Sequence, residues 1–110
     1  MRAATDKDFV VPVDGIGSFT FGRRTLADEV KVQVEYARLT EGVTPTPWLD
    51  SVATWISILK TMTVRAPDGW DIDDMDPLDE ATYAKLFKVH AAFCEKEDSF
   101  RRGPKQASKA

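Results

Sequence analysis

The sequence is poor in the residues that build most reactive sites. It has one cysteine and one histidine in 110 residues. A single cysteine, Cys94, excludes an internal disulfide and fits a reducing compartment. His90 and Cys94 stand one helical turn apart, which is half of a zinc site. No second cysteine or histidine exists to complete it. There is no phosphate-binding glycine loop and no nucleophile elbow. No apolar run is long enough for a membrane span. The opening MRAATDKDFVVPVDG lacks the apolar segment of a secretory signal, so a cytoplasmic protein is expected. These absences point away from an enzyme and away from a bound cofactor.

Net charge is small, and charge is unevenly placed. The formal net charge is −3, which argues against general nucleic-acid binding. Residues 68–80 hold Asp68, Asp71, Asp73, Asp74, Asp76, Asp79 and Glu80 without a base, and residues 101–110 hold Arg101, Arg102, Lys105 and Lys109 without an acid. The acidic run could supply oxygen ligands to calcium through Asp71, Asp73, Asp74 and Asp76. Met75 breaks the alternation such a loop needs, and no glycine follows. Caps and solubilising charge account for these carboxylates better, so no metal ligand is assigned.

What the chain does have is a Trp-rich helical stretch, Trp48 to Trp70. Thr46-Pro47 opens it: the threonine hydroxyl can cap an orphan N–H, and proline is suited to the first helical position. Trp48, Val52, Trp55, Leu59 and Met62 recur on one flank. Asp50, Thr54, Ser57 and Thr61 form a narrow polar stripe opposite. Such a helix is buried on most sides, in its own domain or against a partner.

Residues 1–7 are small and polar, and disorder is expected there. Asp14-Gly15 between FVVPV and IGSFTF signals a β-hairpin at about 8–22, with a turn that wants positive φ at both central positions. Phe19 and Phe21 share a face. Pro12 marks its strand as an edge or as irregular. Thr25 and Asp28 have the form of a helix start. The segment VKVQVEYARL fits two periods: Val30, Val32, Val34 and Tyr36 alternate as in a strand, whereas Leu26, Val30, Val34 and Ala37 follow helical spacing. The start signal and Gly42 favour a helix over 25–40, with a strand at 30–36 as the alternative. Met62–Ala66 is β-branched enough for a short third strand. Asp76-Pro77 repeats the cap-then-proline opening, and a last helix over about 77–97 would place Tyr83, Leu86, Phe87, His90, Phe93 and Cys94 on one face. Ser99-Phe-Arg-Arg-Gly-Pro104 should end it. The expected architecture is a single α+β domain over 8–100, with an N-terminal β-hairpin, a third short strand and three helices, followed by a disordered basic tail over 101–110.

The remaining candidate function is binding. Trp48, Trp55 and Trp70 fill a core or anchor an interface. Arg23 and Arg24 are a solvated boundary or a contact with an acidic surface.

The order of segments also resembles a known family. FGRRTLADEVKVQVEYARLTEG, the Trp-bearing helix followed by LKTMTVRAPDGWDIDDMDPLDEATYAKLFKV, and the closing EKEDSFRRG are similar to phage tail assembly chaperones, small tail-region proteins of long-tailed bacteriophages and prophages. The resemblance covers about residues 16–103. It implies a non-enzymatic protein in the cytoplasm of the host bacterium. Such a protein coats the helical tape-measure protein during tail building, helps recruit tail-tube subunits and is absent from the finished virion. A homo-oligomer is compatible with that role. Two rivals stand beside it: a structural tail or connector protein retained in the virion, and a small regulatory protein with a metal at the acidic loop.

Overall fold

Apolar residues at alternate positions build the first unit. β1 (Phe9–Val13) and β2 (Gly17–Phe21) pair antiparallel, with Val11 opposite Phe19 and Val13 opposite Gly17. Val11, Val13, Phe19 and Phe21 are therefore on one face and buried, as period-two alternation requires. The computed structural model describes residues 2–76 and 79–107, with side chains through Arg101. The hairpin connection has three residues, Asp14 to Ile16. Ile16 N–H donates to the Val13 carbonyl at 3.0 Å. Of the two expected left-handed positions, only Gly15 has positive φ (79°). The extra residue accounts for this, because a three-residue loop closes without a second left-handed position. β3 (Thr63–Arg65) joins β2 antiparallel, giving the order β1-β2-β3. β1 is an edge strand, and that is where Pro12 is tolerated.

Helix α1 (Leu26–Thr40) starts on a capping box. The Thr25 hydroxyl accepts from the Asp28 N–H at 3.3 Å, and the Asp28 carboxylate accepts from the Thr25 N–H at 2.9 Å. This reciprocal closure decides the ambiguous 30–36 segment in favour of helix. Helix α2 (Pro47–Met62) starts on Thr46, whose hydroxyl accepts from the Leu49 N–H at 3.2 Å. Helix α3 (Glu80–Ala107) starts later than the sequence suggested. Asp79 supplies the cap, accepting from the Thr82 N–H at 3.1 Å and its hydroxyl at 2.9 Å. Pro77, the other half of the expected opening, lies outside the described residues.

The layers follow from which faces these elements bury. Leu59 and Met62 of α2, with Leu86, Val89 and Phe93 of α3, pack against the four sheet residues to form the core. Helix α1 contributes nothing to that cluster. It lies against the outer side of α2, where Val32, Ala53 and Ser57 are buried. The stripe of α2 expected to be polar and opposite the core is thus the seat of α1. Ser57 fits there because its hydroxyl donates back to the Ala53 carbonyl at 2.5 Å. Asp50 accepts from the Tyr36 hydroxyl at 2.6 Å.

Three further expectations need correction. Residues 2–7 are tied down: the Arg2 N–H donates to the Thr63 carbonyl at 3.1 Å, and Thr5 bonds Asp8 through its N–H and hydroxyl, each at 2.9 Å. On α3, Val89 belongs to the core face, whereas Phe87 is 54% exposed. The buried line runs Leu86, Val89, Phe93, Glu97, a narrower stripe than the sequence pattern alone selects. Finally, α3 passes Ser99 and includes Gly103 and Pro104 in its backbone, so residues 101–107 of the expected disordered tail are helical. Phe100 holds the helix to the sheet by an edge contact with Phe9 at 4.9 Å, and Arg101 pairs with Asp98 at 3.3 Å. Residues 108–110 lie outside the described residues.

Candidate protein-interaction surface

The five residues singled out from the sequence have different fates. Trp70 is half-buried with its ring edge-on to Phe19 at 5.0 Å, so it closes one end of the core. It also lines a cavity of about 230 Å³ with Leu59, Ala66 and Ile72. Trp55 is half-buried between Tyr83 and Phe87, at centroid distances of 5.1 and 5.5 Å. Trp48, on the first turns of α2, is 41% exposed. Trp48 and Trp55 are seven residues apart on one flank of α2, and Phe87 of α3 lies against Trp55. The fold therefore brings Trp48 and Trp55 to one flank and sends Trp70 into the core margin.

The two arginines are committed to internal contacts. Arg24 donates Nε to Glu97 at 3.0 Å and Nη2 to Glu97 at 2.9 Å, and Nη1 to Glu29 at 2.6 Å. It ties α1 to α3 and is not available to an acidic partner. The buried Glu97 carboxylate explains why it sits there, since a buried acid needs a cation; the partly exposed Glu29 adds a second contact. Burial pushes the Arg24 pKa down, but the bonds from Glu97 and Glu29 reverse this and leave it raised. Arg23 remains exposed, with its guanidinium 4.1 Å from the centre of the Phe100 ring, a cation–π contact.

The surface that sequence reasoning missed is on α1. Leu26, Val30 and Val34 are 82%, 58% and 64% exposed. They stand four residues apart and form a single stripe. An amphipathic helix ordinarily turns such a stripe to the core. Here the opposite side goes in, and Asp28, Val32 and Thr40 are the buried residues. The cause is ionic. Arg2 donates Nε and Nη2 to the two oxygens of Asp28, both at 3.2 Å, and Nη2 also to the Arg23 carbonyl at 3.2 Å. Gly22 makes room, since a Cβ there would lie 2.0 Å from Arg2 Nη1. Burial pushes the Asp28 carboxyl up, but the Arg2 bond and the Thr25 amide and hydroxyl outweigh it and hold it below the ordinary value. Pinning Asp28 inward rotates the valines outward. The helical spacing of Leu26, Val30 and Val34 was visible in the sequence, but the partner that turns it, Arg2, lies more than twenty residues away.

Polar groups around the stripe are mostly satisfied. Lys60 bridges Glu35 at 3.2 Å and Asp73 at 2.9 Å, and Arg38 also pairs with Glu35. The Arg38 bond leads the effects that lower the Glu35 carboxyl, and the Asp73 bond leads those that raise Lys60. Lys31 has no partner among the described residues.

The one His–Cys pair has an unreactive environment. His90 Nε2 is 3.4 Å from Cys94 Sγ. Burial, with the nearby Arg24 charge, lowers the imidazole. Burial raises the thiol, which favours the protonated form and not the nucleophilic thiolate. Among the described residues, no group of three or more His, Cys, Asp or Glu is placed to hold a metal, and no helix is long and apolar enough to cross a membrane. No protein-family model matches the chain, and neither do the curated proteins or the solved structures with which it was compared.

Proposed function

We propose that this chain is a non-enzymatic phage tail assembly chaperone that covers an apolar helical partner, the tape-measure protein, in the host cytoplasm while tail-tube subunits are recruited. The observation that carries the reading is the outward stripe Leu26, Val30 and Val34 on α1. An exposed apolar row at i, i+4 and i+8 can pack against the apolar row of a second helix. The half-open Trp48–Trp55–Phe87 flank supplies aromatic area of the kind that anchors interfaces. Exposed anchors of this size suit a hold that the tail tube can displace. The segment order of residues 16–103 supports the same role through its family resemblance.

The test has two arms. Co-expression with the tape-measure protein of the same phage should give a complex that survives purification. Mass spectrometry of purified virions should find no peptide from this chain. Recovery in stoichiometric amount from virions would establish the rival, a structural tail protein, and end the chaperone reading.

A further inference from the structure

The stretch between β3 and α3 arches over one end of the core and partly encloses a hollow of about 230 Å³. Two contacts fix the arch. Pro67 lies so close to Gly17 that a Cβ there would be 2.6 Å from the proline Cγ, and Trp70 stands edge-on to Phe19 at 5.0 Å. The floor is apolar: Leu59 is buried, and Ala66, Trp70 and Ile72 complete the wall. Thr63 also lines the hollow, but its hydroxyl donates to the Leu59 carbonyl. The rim is ionic. Lys60 is held by Asp73 at 2.9 Å and by Glu35 at 3.2 Å, so two carboxylates already balance its charge. Asp71 lines the hollow too, is exposed and has no side-chain partner among the described residues. Asp68 and Asp74 on the same stretch are likewise exposed and without one, and residues 66–76 contain no base. The mouth therefore carries an excess of negative charge over an apolar interior.

We infer that this hollow is a binding site for a small organic amine, a single ring that carries an ammonium group on a short arm. The inference is independent of the chaperone reading. Size sets the body of the ligand. A dry protein cavity of about 150 Å³ takes benzene, so this larger hollow takes a ring with a short arm. The ring would lie on Leu59 and Ile72 beside the Trp70 indole, where apolar area leaves water. Charge sets the arm. An ammonium at the rim would meet the Asp71 carboxylate. A carboxylate there would be repelled, and Lys60 is already shared between two acids. An exposed ion pair adds roughly threefold in affinity, so the apolar body supplies most of the hold and the charge supplies the selectivity. Both ends of the arch are pinned, so the hollow stands ready before a ligand enters and little ordering is lost on binding.

The experiment titrates the full isotope-labelled chain at neutral pH with phenethylamine, its neutral isostere phenethyl alcohol and the anion phenylacetate, followed by nuclear magnetic resonance. The methyl resonances of Leu59, Ala66 and Ile72 and the indole resonance of Trp70 should shift together and saturate, with a dissociation constant of about 1 mM or tighter for the amine. At low salt the amine should bind roughly threefold tighter than the alcohol and about tenfold tighter than the anion. The preference should shrink at high salt, because the rim is exposed. Asp71→Asn should make the amine and the alcohol bind alike while the melting temperature stays unchanged, since Asp71 is exposed. Ala66→Leu should fill the hollow and abolish the shifts, and Ile72→Trp does the same by a second route if the first variant does not fold. Shifts that do not saturate, shifts confined to residues outside the hollow, equal binding of the three probes, an amine preference that survives Asp71→Asn, or binding that survives a folded filled variant would each overturn the inference.

Discussion

Replacing Glu97 by alanine tests the internal ion-pair network directly. Glu97 is buried on α3 and accepts two bonds from Arg24, which comes from the segment before α1. The pair joins residues 73 apart in sequence. Removing one member of a fully buried pair costs about 3–5 kcal/mol, mostly from the charge left behind. That figure is too large here. Arg24 keeps its bond to Glu29, whose side chain is 44% exposed and lets water share the charge. The expected loss is therefore about 2–3 kcal/mol. For a domain of this size, that corresponds to a fall in melting temperature of roughly 8–12 °C. Circular dichroism melts and urea titrations would measure it. A double-mutant cycle with Arg24→Ala should return a coupling of at least about 1 kcal/mol. A fall of less than about 2 °C, or additive single effects, would show that Arg24 is solvated and that α1 is held by other contacts. In that event Arg24 would return to the list of partner-binding candidates.

Other outcomes follow from the same contacts. Trp55→Ala should cost about 2–3 kcal/mol in urea titrations, less than a fully buried tryptophan, because Trp55 is only half-covered by Tyr83 and Phe87. Arg2→Ala should cost about 2 kcal/mol, since it strips the buried Asp28 of its cation but leaves the Thr25 bonds in place; nuclear magnetic resonance shifts along α1 should change at the same time, and unchanged shifts would mean that Arg2 does not set the helix orientation. His90 is held below the ordinary imidazole value, so the unfolded chain takes up a proton first as pH falls. Stability should decline from about pH 6.5 towards pH 5, and His90→Gln should flatten that slope. Asp28 and Glu35 are also lowered, so further loss should appear below about pH 4, where the unfolded carboxylates protonate before the folded ones.

Local chemistry alone determined the segment types. Thr25 with Asp28, and Thr46 with Pro47, announce helix starts because they satisfy N–H groups within three residues of themselves. Asp14-Gly15 announces the hairpin, and Pro12 an edge, for equally local reasons. Burial was harder to read. The Asp50–Thr54–Ser57 stripe looks solvent-facing until α1 is laid over it, and Phe87 looks equivalent to Val89 until the sheet selects which of them it touches. The candidate surface was least legible. Helical spacing makes Leu26, Val30 and Val34 a row, but not an exposed one. Their direction depends on how α1 is rotated about its axis. That rotation follows Arg2 reaching Asp28, an ionic contact between residues 26 positions apart. Charges pair wherever the fold brings them together, so neither periodicity nor propensity records them in advance.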